Sequence, residues 1–183
     1  MKIVGIDLAG NPGNDTGFCI MNVTGDEKNV HASILHADDE IIEKVKEADP
    51  ALIAIDAPLT YCGENRACDE ELHKYGALPV TLRGMVVLAE RGSMLAEKLR
   101  ELDLEVIEVF STATAKILGH YDKRDKVMQK KLINSGIKGD VDRRFLTRDE
   151  LDAVFASITA FLHLNRLTYA VGDEKGKIIT PKV

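Results

Sequence analysis

The sequence predicts an α/β fold: a mixed five-stranded sheet, three antiparallel strands followed by parallel strands, flanked by helices. Three observations carry this. The first three strand-like runs are separated only by short stretches rich in Gly, Asn and Asp, which suits an antiparallel meander. The later strand-like runs are separated by helical stretches, so they need crossover connections and pair in parallel. Acidic residues end or interrupt three apolar runs, at Asp7, Asp56 and Glu108, where an uncompensated buried charge is costly. A chain of 183 residues is most simply one domain.

The elements follow in order. Residues 2–9 read as a buried strand, and GNPGNDTG after it as a loop. FCIMNV and NVHASILHA are two more strands, with TGDEKN as the turn between them. DDEIIEKVKEAD has helical spacing, with Ile41, Ile42 and Val45 apolar and Pro50 just beyond its end. ALIAIDAP is a continuous apolar run with a Pro stop, the pattern of a central strand. Residues 59–82 are the least regular, although ENRACDEELHKYG suggests a short helix ending at Gly76. Residues 83–102 form a strong amphipathic helix, and LEVIEVF is the fifth strand. STATAKILG starts a helix capped by Ser or Thr, and KRDKVMQKKLINSG a helix stopped at Gly136. Thr147 and Glu150 have capping-box spacing for the last long helix. YAVGDEKGKIITP reads as a hairpin.

Composition narrows the function classes. No apolar run approaches the ~20 residues of a membrane span. The chain opens with strand-like MKIVGID and no signal-peptide pattern, so a cytoplasmic location is expected, with no membrane partner. Cys19, Cys62 and Cys68 are odd in number and form no disulfide framework, which agrees with a reducing compartment. Net charge is -6, which argues against a generic nucleic-acid binder. Yet Lys116 to Arg148 holds ten Lys/Arg against four Asp, a local balance of +6. Such a segment suits a phosphate-binding flank, and equally a solvated helical surface. With aromatic content of 5% and no Trp, single-strand binding by base stacking is not favoured; only Tyr61 and Tyr75 are expected near a site mouth.

The acids carry the chemical signal. A divalent cation compensates several carboxylates at once. Asp149 and Asp152, three residues apart, share one helix face in a first turn where negative charge is favoured. Acid enrichment at a helix start is the plain alternative for both. Hard oxygen ligands without clustered His or Cys fit Mg2+ or Mn2+ better than Zn2+. Cys62, Cys68 and His73 match no standard zinc spacing.

Taken together, GIDLAG with Asp7, IDAP with Asp56, the stretch STATAKILGHYDKRDKVMQKKLINSG, and DELDA with Asp149 and Asp152 resemble the ribonuclease H fold. Within it they are most similar to the RuvC-type resolvases and to uncharacterised families of predicted RNase H-like nucleases. In the latter an Arg-x-Cys-Asp stretch follows Asp-Ala-Pro, here Arg66, Cys68 and Asp69. The resemblance covers nearly the whole chain. It departs at Asp56, where resolvases commonly carry Glu, at Ser111, where they carry Pro, and in a longer helical insertion at about 59–103.

The resemblance implies one RNase H-like domain and a metal-dependent nuclease using two Mg2+ or Mn2+ ions. Asp7, Asp56, Asp149 and Asp152 would be catalytic, with Glu108 a further metal ligand. Lys116, Lys123, Lys126 and Arg66 would bind substrate, which would be DNA or RNA. Resolvases of this type act as dimers on two-fold symmetric junctions, so the apolar residues of helix 83–102 are a candidate homodimer interface. Two other functions share the core. One is an ATP-binding phosphotransferase of the actin and sugar-kinase superfamily, which has a similar GID opening but duplicates the domain. The other is a non-catalytic RNase H-like binding protein.

Overall fold

In the computed structural model, which describes residues 1–182, the N-terminal apolar run forms β1 (Lys2–Asp7). It pairs antiparallel with β2 (Thr16–Thr24), which pairs antiparallel with β3 (Glu27–Leu35). On its other side β1 pairs in parallel with β4 (Ile53–Asp56), and β4 with β5 (Val106–Val109). These are the five expected strands.

The sheet is larger than expected, however. It has eight strands, because β6 (Ile137–Gly139) joins β3 in parallel and a C-terminal hairpin joins β5. That hairpin comprises β7 (Thr168–Asp173) and β8 (Gly176–Pro181), with β8 meeting β5 at Val109↔Ile179. The strand order is β6-β3-β2-β1-β4-β5-β8-β7. A three-residue strand is too short to show period-two alternation, and nothing local in a hairpin states which edge it will join.

Alternation along the central strands separates two apolar layers. Val4, Ile6, Ile53, Ile55 and Val106 face α1 (Asp38–Ala48) and α3 (Arg83–Arg100), meeting Ile41, Val45, Leu95 and Leu99. Ile3, Ala54 and Val109 face the opposite layer, whose central member is α7 (Arg148–Leu164). α4 (Ser111–Ile117), α5 (Asp125–Asn134) and the short α6 (Asp140–Arg143) complete that layer. The irregular 59–82 segment holds α2 (Ala67–Glu71) and a 3-10 turn at His73–Tyr75, closed by Gly76 at positive φ. Cys68 and Leu72 pack beneath the hairpin against Val171 and Ile178. Helix α3 leaves Val87 and Met94 exposed, seven residues apart and so on one side. No helix among the described residues is long and apolar enough to cross a membrane.

The capping box of α7 forms as expected: the Thr147 side chain accepts from the Glu150 amide and Glu150 from the Thr147 amide. The expected Ser or Thr cap of α4 does not form.

Helix α7 lies unusually close to the sheet. A Cβ at Gly5 would run into the Ala153 carbonyl, and one at Gly17 into the Asp149 carbonyl. Gly17 is the register partner of Asp7, so the absence of a side chain there lets the start of α7 reach the end of β1. Gly17→Ala and Gly5→Ala are each expected to cost about 1–3 kcal/mol, because the obstacle is backbone and cannot rotate away. Thermal melts should show Tm falling by roughly 3–10 °C. Gly13→Ala, where nothing lies within 4 Å, should leave Tm nearly unchanged.

Candidate active site

The register Asp7↔Asp56 sets two carboxylates side by side at the ends of adjacent parallel strands. Asp7 shares its face with Ile3 and Gly5, and Asp56 with Ala54, so both point toward α7. The first turns of α7 bring Asp149 and Asp152 to the same edge. Ser111 ties two of the elements together. Its amide donates to Asp56 Oδ2 at 2.9 Å, so Asp56 stands where a cap of α4 was expected. Its hydroxyl donates to the Asp152 carbonyl at 2.8 Å.

The electrostatics are those of an uncompensated cluster. Burial, and then the neighbouring Asp56, Asp152 and Asp149, push the Asp7 carboxyl well above its ordinary value. Burial raises Asp56 to about 6, although the bonds from Ser111 pull the other way. Burial and Asp56 raise Asp152 to about 7, with Arg148 opposing. Asp149 is also raised, by burial and then by Asp15, Asp125 and Glu150.

Asp7 borders two openings. A cleft of about 250 Å³ holds Asp7, Asp56 and Asp152 against apolar walls that include Leu8, Leu88 and Phe110. A shallower one of about 570 Å³ lies between Asp7, Asp149 and the loop residues Asn14 and Asp15. Among the described residues no group of three or more His, Cys, Asp or Glu side chains is placed to hold a metal ion. The set nevertheless suits a hard cation. All its donors are carboxylate oxygens, and Asp152 Oδ1 is buried with no hydrogen-bond partner.

Two of the expected site residues bond to each other instead of standing among the acids. Glu108 pairs with Ile55 in the register, so it projects to the face opposite Asp56. Its Oε2 accepts from the Leu59 amide (2.8 Å) and Arg66 Nη1 (3.0 Å), and its Oε1 from Arg66 Nη2 (2.8 Å). Glu108 is thus an ion-pair member in the far wall of the cleft, with Arg66 bonded to both of its oxygens. Arg66, expected to bind substrate, is 1% exposed. Its remaining donors go to Asp69 (3.0 and 2.7 Å) and Thr60 Oγ1 (3.2 Å). Burial pulls the guanidinium pKa down, but the bonds to Asp69 and Glu108 outweigh it and hold Arg66 above its ordinary value.

The lysines separate. Lys116 donates to the Tyr75 carbonyl at 2.7 Å and lies over the Tyr121 ring, so it braces α4 to the 3-10 turn. Lys123 and Lys126 are exposed at the start of α5. Cys68 is buried, which pushes its thiol up to about 12, and Cys62 is exposed. Sequence reasoning missed Ser111 as a link, Asp15 as a fifth acid near Asp149, and Arg148, which bonds Asp125 at 2.6 Å. Only Asp15 carried a sequence signal, as an acid eight residues beyond Asp7 in a Gly- and Asn-rich loop.

Residues 5–141 match the model of a family described as a protein of unknown function, DUF429. The chain belongs to that family. The DUF429 match includes Asp7 and Asp56 and ends before Asp149 and Asp152. Thermus thermophilus RuvC is 16% identical with a TM-score of 0.56, over 91% of this chain and 97% of that one. The same protein in complex with a Holliday junction substrate gives 14% and 0.54, over 90% and 96%. A fowlpox virus resolvase in complex with Holliday junction DNA gives 9% and 0.51, over 86% and 97%. No curated protein matches the sequence. At these identities the likeness establishes the fold, a RuvC-like RNase H fold.

Two predictions follow from the charges. The raised acids keep protons in the folded state that the unfolded chain has already lost. They therefore stabilise at low pH, and that stability disappears as pH rises through about 6 to 7. The metal-free protein should melt higher at pH 5.5 than at pH 8, and Asp152→Asn should flatten the difference. Arg66→Ala should cost about 3–5 kcal/mol in urea unfolding, because it strands Asp69 and Glu108 as unpaired buried charges.

Proposed function

We propose that this DUF429 protein is a Mg2+- or Mn2+-dependent nuclease that hydrolyses phosphodiester bonds of DNA or RNA. One observation carries the reading: Asp7, Asp56, Asp149 and Asp152 meet, uncompensated, at one edge of an RNase H-like sheet, with an unpartnered oxygen on Asp152. When bound there, one or two hard cations would neutralise the acids, activate a water and polarise the phosphodiester.

The chain's own residues do the rest. Asp7 borders both openings and is the one acid able to serve both. The Ser111 amide fixes the orientation of the Asp56 carboxylate, and its hydroxyl fixes the turn of α7 that carries Asp152. The apolar walls lower the local dielectric of the inner cleft, strengthening charge interactions within it. Lys123 and Lys126 stand beside the start of α7, where they would hold phosphates flanking the scissile one.

Labelled branched, single-stranded, duplex and hybrid oligonucleotides incubated with Mn2+ or Mg2+ test this. Cleavage is expected, and it should fall on the order of 10³-fold in Asp7→Asn, beyond the 10–100-fold typical when a ligand's outer partner is lost. Ser111→Ala should show the smaller loss, roughly 10–100-fold, with the fold intact. The same ions should raise the Tm of wild type at pH 8 and not that of Asp7→Asn. A protein that cuts none of these substrates, and whose Tm neither ion moves, would not be a nuclease of this type.

A further inference from the structure

Phe145 is 73% exposed, the most exposed of the large apolar side chains among the described residues. A single exposed ring is unremarkable by itself, because much of any protein surface is apolar. Here the backbone around the ring is held firmly. The next residue, Leu146, is buried, and its amide donates to Gln129 Oε1 at 3.1 Å. Gln129 Nε2 in turn donates to the carbonyls of Val141 (2.7 Å) and Arg144 (2.5 Å). Arg144 is paired with Glu150 at 2.6 Å, and Thr147 caps α7. The segment on both sides of Phe145 is thus tied to α5, α6 and α7, so the ring stands in solvent on a fixed support.

One cation lies against the ring. Lys126 Nζ lies 4.7 Å from the ring centroid. Among the described residues Lys123, Lys126 and Arg143 have no carboxylate partner, whereas Arg124, Arg144 and Arg148 do. Arg148 fixes this group against the site. Its guanidinium pairs with Asp125 at 2.6 Å and donates to the carbonyls of Asp122 (3.1 Å) and Lys123 (3.2 Å). The start of α5, with its two lysines, is thereby held to the start of α7, with Asp149 and Asp152. The like-charge effect of Asp125 on both of those acids agrees with this proximity.

We propose that Phe145, Lys126 and Lys123 form a shelf for an unpaired nucleotide of the substrate, the ring stacking on the base and the cations taking adjacent phosphates. The proposal rests on the nuclease reading and deepens it by naming the substrate form. An aromatic face needs a free base face, which a single strand or frayed end offers and a closed duplex does not. The free cations supply the complement to a phosphate chain that an apolar protein partner would lack. Low overall aromatic content had argued against stacking, but one ring in the right place is sufficient.

The test is fluorescence anisotropy with a labelled single strand and a labelled blunt-ended duplex, with Ca2+ occupying the carboxylates. Phe145→Ala should weaken single-strand binding roughly 5- to 100-fold and change duplex binding less than about 2-fold. Phe145→Trp should retain single-strand affinity. Lys126→Ala should lower the slope of log K against log salt by about 0.7 for the single strand. The Tm of Phe145→Ala should match wild type, since the ring is exposed.

If wild type binds the strand and Phe145→Ala binds it equally well, the shelf is wrong and the nuclease reading stands. If wild type neither binds nor cuts any nucleic acid, both fail. If Phe145→Ala changes the sedimentation of the protein rather than its affinity for the strand, the ring is a contact between copies and the shelf is overturned.

Discussion

The close seating of α7 on β1 and β2 is the constraint from which the site follows. Two glycines on adjacent strands, Gly5 and Gly17, leave the sheet without side chains where the helix backbone crosses it. The helix answers with small residues, Ala153, Ala156, Ser157 and Ala160, three or four apart and buried. Direct backbone contact fixes the helix far more sharply than interlocking long side chains would, since backbone has no rotamers to relax into. The dependent quantity is the position of Asp149 and Asp152. They reach the ends of β1 and β4 only because the first turn of α7 rests on Gly17, the register partner of Asp7.

Around that contact, charge is handled in two ways. Away from the site, buried charges are paired and their hydrogen bonds filled. Arg66 serves Asp69, Glu108 and Thr60, and Arg91 serves Asp38 (2.8 Å) and the carbonyls of Ala9 and His36 (2.6 Å each). These two buried arginines frame the site, one beneath the far wall of the cleft and one under the loop that follows Asp7. At the site itself the acids face one another instead. Folding concentrates like charge there and holds protons on it, a cost to the fold that a bound cation would relieve. Rigid surroundings are what let such a cluster persist, because a softer frame would turn the acids out into water.

The shape of the site follows from the same architecture. Where β1 and β4 end beside the start of α7, an inner cleft with apolar walls and an outer, more polar one share Asp7. The basic segment folds as α5 and its flanks beside α7, so local positive charge sits next to local negative charge in a chain whose net charge is -6. Net charge is a poor guide in such a molecule, because a substrate meets a surface region and not the average.

The sequence by itself determined the five central strands, the long helices, the capping box of α7 and the placement of acids at strand and helix ends. Each is encoded within a few residues, by period, capping spacing or a polar group at the end of an apolar run. Tertiary structure alone decided the rest. Glu108 and Asp56 look alike in sequence, each an acid in a short apolar strand, yet register turns them to opposite faces. In a four-residue strand buried on both sides, no alternation shows which face is which. Arg66 looks like a substrate contact until Glu108, 42 residues away, is brought onto it. Ser111, Arg148 and Phe145 acquire meaning only from neighbours on other elements, and β6 and β8 only from the edges they join. Local patterns specify how much of a residue is buried. They do not specify against what, because partners distant in sequence meet only when the layers close.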